Sequence, residues 1–259
     1  MTDWSLEVRD RVAVLTFVRP PRNFMSFAGM NELAEHLEQL AGRTDDVSVV
    51  VLTGGVDGYF VAHADLDDLA ALARGEPGTG DPGGWGRAMR LLEDMPQPTV
   101  AAIDGQAWGG GCEIALACTM RVGSERAHLG QPEVAVGIIP GAGGSQRLPR
   151  LVGGGVGAEL VISGRIVEAE EALRLGLLNA VLPGAGAAFV DAAVEWCGRF
   201  TRHSPAAVFA AKRAVVDGLK GTLGEGLALE GRLFLGLNAS DDAQQRNAAT
   251  RGEGVPRVE

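Results

Sequence analysis

A run of three glycines, followed at once by Cys112 and an acid, Glu113, is the first feature of the sequence that could do chemistry. Glycines at a junction between a strand and a helix let backbone N–H groups approach a ligand closely, and the N-terminus of the helix adds positive partial charge. Main-chain donors arranged in this way can hold an oxygen on which negative charge develops. A tight turn that packs a helix on a strand uses the same glycines, so they do not decide alone.

A second acid, Glu133, follows twenty residues later in the stretch LGQPEVAVGIIPGAGGSQRLPRLVG. Burial among apolar residues raises the pKa of a carboxyl group, so one of two such acids can give a proton while the other takes one. A single glutamate is more often a solvated residue at a helix end. The glycines up to Gly143 predict a second helix N-terminus facing the same site, although a packing turn has the same signal.

Composition argues against several other classes of protein. The 23 basic and 33 acidic residues give a net charge of −10, which disfavours a broad nucleic-acid surface. The only lysines are Lys212 and Lys220, and neither follows a glycine, so the phosphate-loop motif G-x-x-x-x-G-K does not occur. Three cysteines without a C-x-x-C pair indicate a reducing compartment, and the four histidines lack metal-ligand spacing. With no apolar run of membrane-span length, we expect a cytoplasmic protein without metal, membrane or nucleic-acid partners.

The segments around these residues alternate between strand and helix patterns. Residues 5–17 alternate polar and apolar side chains around an Arg-Asp turn, which predicts a β-hairpin, and Ser26 and Gly42 delimit an amphipathic helix. Apolar runs of strand length, typical of strands buried on both faces, occur at residues 47–54, 98–105 and, more weakly, 177–183. This alternation predicts an α/β fold.

Two further segments bear on the organisation of the chain. Residues 74–86 are dominated by Gly and Pro and predict a mobile loop, either a linker or a flap beside a site. From about residue 187 the pattern is helical, with Ser204 as an N-cap before Pro205 at a first helical position. Such a helical section can pack against a neighbouring subunit or cover its own core, and the sequence leaves both open.

Several blocks of this chain resemble the crotonase superfamily, the enoyl-CoA hydratases and isomerases. They are FVAHAD, AAIDGQAWGGGCEIALACTMRV, GQPEVAVGIIPGAGGSQRLPRLVG and GRIVEAEEALRLGLLNAVLP, in the family's order. The resemblance implies a crotonase-like spiral of ββα units over residues 1–195, which would hold the active site. It also implies a C-terminal helical trimerisation region over residues 196–259, and so a homotrimer or homohexamer.

The same resemblance implies a role for four catalytic positions. Ala64 and Gly110 would supply two backbone N–H groups to the thioester oxygen. Glu113 would orient and deprotonate the attacking water, and Glu133 would exchange the proton at the α carbon. Water would then add to C3 and the proton to C2. No cofactor beyond coenzyme A would be needed, because the thioester is itself the electron sink.

The resemblance also implies a set of positions along the substrate and its coenzyme A arm. These expected positions are Arg22, Phe24, Ala62, His63, Asp65, Leu66, Trp108, Gly109, Pro132 and Gly141. His63 and Phe24 are bulkier than the small residues common there, and a histidine at position 63 could face the substrate or point away. Asp67 and Asp68 stand where some relatives have a basic residue, which makes Arg22 the first candidate for a phosphate.

Three functions remain open from the sequence. The first is an enoyl-CoA hydratase acting on fatty-acid or related acyl thioesters. An isomerase of the same fold would need only the acid at Glu133, so Glu113 favours the hydratase. A non-catalytic acyl-CoA-binding protein is the third, and the presence of both acids argues against it.

Overall fold

A six-stranded sheet forms the centre of the first part of the chain. The computed structural model describes residues 2–251 and Gly254, and it divides into two units, Met1–Thr201 and Arg202–Glu259. The strands are β1 (Trp4–Arg9), β2 (Val12–Phe17), β3 (Val49–Gly54), β4 (Thr99–Ile103), β5 (Gln106–Trp108), β6 (Met120–Gly123), β7 (His128–Gly130), β8 (Ile166–Glu168) and β9 (Ala180–Val181). The larger sheet has the order β1-β2-β3-β4-β6-β9, and a smaller one has the order β5-β7-β8. Strand pairs β1–β2 and β7–β8 are antiparallel and the others are parallel.

Helices alternate with these strands and then continue alone, which confirms the predicted α/β class. In the first unit they are α1 (Phe27–Ala41), α2 (Leu66–Arg74), α3 (Gly83–Asp94), α4 (Gly110–Ala117), α5 (Gly144–Val152), α6 (Gly154–Ser163), α7 (Ala169–Arg174) and α8 (Ala187–Thr201). A short 3-10 helix covers Pro132–Val136. The second unit contains α9 (Pro205–Gly218), α10 (Leu223–Asn238) and α11 (Asp241–Thr250).

The first hairpin and the first helix form as their sequence signals predict. Asp10 and Arg11 both have positive φ, at 48° and 68°, and join β1 to β2 in a two-residue turn whose twist suits a hairpin. Ser26 caps α1 by accepting a hydrogen bond from the Gly29 amide, and the helix ends before Gly42.

Apolar side chains cover both faces of β3, as its continuous apolar run predicts. Val50 and Leu52 belong to the larger core cluster, which also contains the buried face of α1. Val49 and Val51 point the other way, into a second cluster that includes Phe189 of α8. Successive residues of a strand face opposite sides of a sheet, so a strand with helices on both sides must be apolar throughout. The weaker run at residues 177–183 yields only the two-residue strand β9.

The glycine- and proline-rich segment is a loop only over residues 75–82, so the prediction of a loop up to residue 86 is wrong. Helix α3 begins at Gly83. A Cβ on Gly84 would lie within 1.9 Å of the Asn31 side chain on α1, so this glycine permits close packing of two helices. Some of the glycines that predict a flexible loop therefore serve the close packing of two helices instead.

The second unit consists of helices, and its first helix starts at Pro205 as predicted. Ser204 occupies the predicted N-cap position of α9, but its side chain makes no capping hydrogen bond to the start of the helix. It hydrogen-bonds the Asp242 carboxylate instead and helps to hold the pKa of that group below its usual range. Helix α10 starts with a reciprocal capping box between Thr222 and Glu225.

The described residues contain neither a helix that could span a membrane nor a cluster of side chains that could hold a metal ion. Over residues 2–251, no helix combines the length and apolar character that crossing a bilayer requires. Within the same part of the chain, no group of three or more His, Cys, Asp or Glu side chains could hold a metal ion. The three cysteines are buried and form no disulfide with one another.

Candidate active site

The three glycines lie where β5 ends and α4 begins, and each meets a close neighbour. Gly109 has φ 49° and ψ −121°, and a Cβ there would lie 3.1 Å from Glu133 Oε1. A Cβ on Gly111 would lie 1.8 Å from the Val61 carbonyl oxygen, so the helix start packs directly on backbone. A side chain at either position would displace the helix or the acid beside it.

Two backbone N–H groups meet at this junction without protein acceptors. Ala64 forms a bridge with Met25 that uses only the His63 carbonyl and the Asp65 amide, which leaves the Ala64 N–H on the other side of the chain. Gly110 is the first residue of α4, where an amide has no acceptor within its helix. A Cβ on Gly110 would lie 3.1 Å from the Ala64 nitrogen. In residues 2–251, no hydrogen bond occupies either donor.

Glu113 is held in the first turn of α4 by the start of another helix. Its Oε1 accepts hydrogen bonds from the amides of Ala142 at 2.7 Å and Gly144 at 2.8 Å. Gly143 between them has φ 107° and precedes α5, so the predicted second helix N-terminus does face this site. Burial raises the pKa of Glu113, although these amides and the charge of Arg147 act in the opposite direction.

Glu133 lies on the 3-10 helix and faces Gly109. Burial raises its pKa to about 7; its own backbone amide opposes the shift and the charge of Glu113 adds to it. In the orientation that satisfies its hydrogen bonds, the buried Gln131 amide donates to Glu133 Oε1 at 2.8 Å. A carboxyl group with a pKa near 7 can either donate or accept a proton at neutral pH.

One cavity of about 480 Å³ collects these groups. Its wall is mostly apolar and comes from α2, α3, the glycine junction and the segment around the 3-10 helix. The lining residues are Phe27, His63, Ala64, Leu66, Leu69, Leu72, Pro82, Trp85, Trp108, Gly109, Gly110, Glu113, Pro132, Glu133, Ala135, Val136, Ile138, Ile139, Gly141 and Ala142. Glu113, Glu133 and His63 are the titratable groups of this wall.

The structure brings ten of the fourteen expected site residues to this cavity. They are His63, Ala64, Leu66, Trp108, Gly109, Gly110, Glu113, Pro132, Glu133 and Gly141. His63 is placed by a stack on Phe24, with ring centroids 4.2 Å apart, and by its Nδ1, 2.6 Å from the Ala64 carbonyl oxygen. His63 thus belongs to the lining of the cavity, and its ring is held by two contacts outside that lining's acids.

The other four expected residues do not line the cavity. Ala62 is fully buried, and its carbonyl accepts from the Trp108 amide. Asp65 caps α2 and pairs with Arg19 at 2.6 Å. Phe24 stands behind His63, and Arg22 is exposed.

Several lining residues escaped the sequence analysis. Trp85 and Pro82 fall in the segment that was interpreted as a loop, and the apolar positions of α2 had no distinguishing motif. Arg147 was also missed, although its guanidinium donates to the Ala142 carbonyl at 2.8 Å and pairs with Glu93 at 2.6 Å. Arg147 thereby steadies the turn whose amides hold Glu113.

The chain is similar along its length to a known family. A family model described as enoyl-CoA hydratase/isomerase matches residues 7–255. The 2,3-dehydroadipyl-CoA hydratase of Escherichia coli (strain K12) is 38% identical over 95% of this chain and 94% of its own length. The short-chain-enoyl-CoA hydratase of Clostridium acetobutylicum is 35% identical over 95% of this chain and 92% of its own length.

Solved structures are similar over the whole fold. The crystal structure of enoyl-CoA hydratase from Bacillus anthracis superimposes with a TM-score of 0.87 at 33% identity, covering 99% of this chain and 98% of that one. The structure of Pseudomonas aeruginosa DspI has a TM-score of 0.87 at 30% identity, covering 100% of this chain and 97% of that one.

Proposed function

Because this chain belongs to the enoyl-CoA hydratase/isomerase family, we propose that it is an enoyl-CoA hydratase that adds water across the 2,3 double bond of 2-enoyl-CoA thioesters. One observation carries the proposal. Two carboxyl groups with raised pKa values and two unpaired backbone N–H groups converge in a single apolar cavity.

The N–H groups of Ala64 and Gly110 receive the thioester oxygen. Attack of water at C3 pushes electrons through C2 onto this oxygen, so the enolate-like transition state carries more negative charge there than the substrate does. Donors fixed by the Met25 bridge and by the start of α4 need no reorganisation when that charge develops. The chain needs no cofactor beyond the coenzyme A of the substrate for this step.

The two acids divide the proton transfers. Glu113 is held by two amides that stabilise its ionised form, so it orients the water and takes its proton. Glu133 has a pKa raised to about 7, so a protonated fraction is available at neutral pH to protonate C2. One O–H bond of water breaks as its proton passes to Glu113, and the O–H bond of Glu133 breaks as its proton passes to C2. The C2–C3 π bond is replaced by the new C3–O and C2–H bonds, and a proton returns from Glu113 to Glu133 by way of solvent before the next turnover.

The lining favours a neutral, apolar acyl chain. The lining residues include no lysine or arginine, so no fixed cation faces a terminal carboxylate there. Bringing an unpaired carboxylate into such a cavity costs several kcal/mol, on the order of its desolvation penalty. A chain-length series that includes 2,3-dehydroadipyl-CoA tests this preference.

We also propose that the protein works in the cytoplasm as a homotrimer or homohexamer, without nucleic-acid or membrane partners. Cysteines that form no disulfide with one another support a reducing compartment, and the net charge of −10 disfavours nucleic acid. The helical C-terminal region, predicted over residues 196–259, would form the contacts between copies.

Hydration of crotonyl-CoA by the parent, Glu113→Gln and Glu133→Gln tests the catalytic assignment. Each substitution removes one proton-transfer group at constant size, so we expect kcat to fall by about 10²–10⁴ in both variants. Glu170→Gln, on the exposed surface of α7, is the matched control and should retain parental activity.

The same variants separate the alternatives. If the protein is an isomerase, its activity on a 3-enoyl-CoA should be retained in Glu113→Gln and lost in Glu133→Gln. A binding protein would retain acyl-CoA yet turn over neither substrate in its parental form. Undiminished hydration by Glu113→Gln or by Glu133→Gln would remove the role assigned to that residue.

A further inference from the structure

Trp108 lines the cavity, and its indole donates a hydrogen bond to His128, a histidine that has no part in the proton transfers. Trp108 is the last residue of β5, and its Nε1 donates to His128 Nδ1 at 2.9 Å. The rings meet edge-on, with centroids 5.4 Å apart and planes 63° apart. We propose that His128 is a positioning residue that holds the Trp108 indole as a fixed wall and thereby determines which acyl chains the cavity accepts.

The backbone on both sides of this pair is already fixed, so the hydrogen bond acts on the side chain alone. Strands β5 and β7 pair in parallel, with Gln106 opposite His128 and Trp108 opposite Gly130. The Trp108 amide donates to the Ala62 carbonyl at 3.0 Å. What remains free is rotation of the indole about its side-chain bonds, and the acceptor on His128 restricts that rotation.

The acceptor exists only while His128 is neutral. A neutral imidazole has one nitrogen that accepts, whereas the protonated ring donates from both and would repel the indole N–H. Burial holds the pKa of His128 below its ordinary value, and Glu168, its partner across the β7–β8 pair, opposes that shift. Nearby Arg126 is occupied by Asp104 and Asp57. The bond is therefore intact at neutral pH and is lost when His128 is protonated.

The effect on turnover rests on the proposed hydratase function and should depend on acyl length. A released indole can rotate into the apolar space that a long acyl chain would fill, while a four-carbon chain leaves room for both. Loss of the bond should therefore raise KM for long 2-enoyl-CoAs and leave kcat nearly unchanged.

Two substitutions of His128 separate the acceptor from simple packing. His128→Leu removes the acceptor, and we expect kcat/KM for 2-decenoyl-CoA to fall about fivefold to tenfold, the factor for one lost buried hydrogen bond. The same variant should change crotonyl-CoA hydration by less than about twofold, since only the acyl wall is released. His128→Asn keeps an acceptor oxygen near the position of Nδ1 and should restore parental selectivity. An equal loss for both substrates in His128→Leu, or no loss for either, would overturn the proposal.

A readout that does not need turnover is the indole N–H resonance of Trp108. Trp108→Phe identifies this signal among the four tryptophans. It should shift only at pH values below 6.5, the ordinary pKa of histidine, because burial lowers the pKa of His128. The shift should vanish in His128→Asn, and a signal that does not respond to pH in the parent would contradict the pairing. If the indole responds but nothing is hydrated, the proposed function fails while the pairing stands.

Trp4→Phe is the matched control for loss of an indole hydrogen bond. The Trp4 Nε1 donates to the Gly29 carbonyl at 2.9 Å in the core, away from the cavity. This substitution should lower the Tm without altering the ratio of kcat/KM between long and short substrates. A change of that ratio in Trp4→Phe as large as in His128→Leu would mean that general loosening, not the position of Trp108, sets selectivity.

Discussion

Glu133 is the residue whose titration should govern the pH dependence of hydration. Burial raises its pKa from 4.5 to about 7, so the free enzyme holds the proton that C2 needs below about pH 7 and loses it above. We therefore expect kcat/KM for hydration to fall as the pH rises through 7, approaching a tenfold loss per pH unit. Steady-state kinetics between pH 5.5 and 9 measure this.

The reverse reaction provides the control for that assignment. Dehydration of a 3-hydroxyacyl-CoA needs ionised Glu133 and protonated Glu113, so the two acids together hold one proton, as they do for hydration. Because hydration consumes no net proton, its equilibrium constant does not depend on pH, and kcat/KM for dehydration should fall in parallel with that for hydration above pH 7. Values of kcat/KM that stay constant through pH 7 in both directions would contradict the assignment of Glu133 as the proton carrier.

Single residues of the site could be predicted only where a local motif marks them. The glycines before Glu113 and the proline before Glu133 are such motifs, and both acids do line the cavity. Asp65 carries no signal that it pairs with Arg19, because that partner lies 46 positions earlier in the chain. The raised pKa of each glutamate follows from burial, which depends on elements far apart in sequence.

At the scale of elements, Asp68 fastens the segment 75–82 beside the cavity. Its carboxylate accepts from the amides of Phe27 and Thr79, both at 2.7 Å, and from the Thr79 hydroxyl at 2.6 Å. Although burial acts to raise it, these hydrogen bonds hold the pKa of Asp68 below its ordinary value. The segment leads directly into Pro82 and α3, so this attachment also places the Trp85 wall of the cavity.

Asp68→Asn should release that attachment. Its amide presents a donor where the carboxylate accepted, so we expect a loss of about 1–3 kcal/mol in the free energy of unfolding and faster cleavage within residues 75–82 under limited proteolysis. The stabilisation is present above the unfolded pKa of about 3.8 and is lost as the pH falls through the lower folded pKa. Asp67→Asn, one residue earlier and exposed, should change neither quantity. Equal effects of the two substitutions would rule out this role.

The secondary-structure elements that could be predicted are those in which the pattern of apolar residues shows which faces of the element are buried. Strands β3 and β4 read as apolar runs because helices cover both faces. Helix α3 was partly missed because its glycines serve contact with α1, and a glycine gives the same signal in a loop and in a close helix contact.

For the whole molecule, the comparisons confirm the crotonase family and its fold, while the assembly stays a prediction. The resemblance carried by a few motif blocks extends over the chain. Family membership could be predicted because the motifs sit at backbone constraints, such as the helix start at Gly110. The number of subunits could not, because surface residues of a helix have no such constraint.

Helix α10 presents an apolar stripe that we expect a second copy to cover. Leu223, Leu227 and Phe234 are four and seven residues apart, which places them on one face, and their exposed fractions are 80%, 56% and 63%. Exposing an apolar helix face of this kind to water is unfavourable in free energy. We expect the parent to have three or six times the 26.9 kDa mass of one chain in light scattering. Phe234→Asp should shift the mass toward a single chain, because a buried unpaired charge is strongly disfavoured between subunits.

Leu173→Asp, at an exposed position of α7, should leave the mass unchanged. A parental mass of one chain, or Phe234→Asp with the full parental mass, would mean that this stripe does not join the subunits.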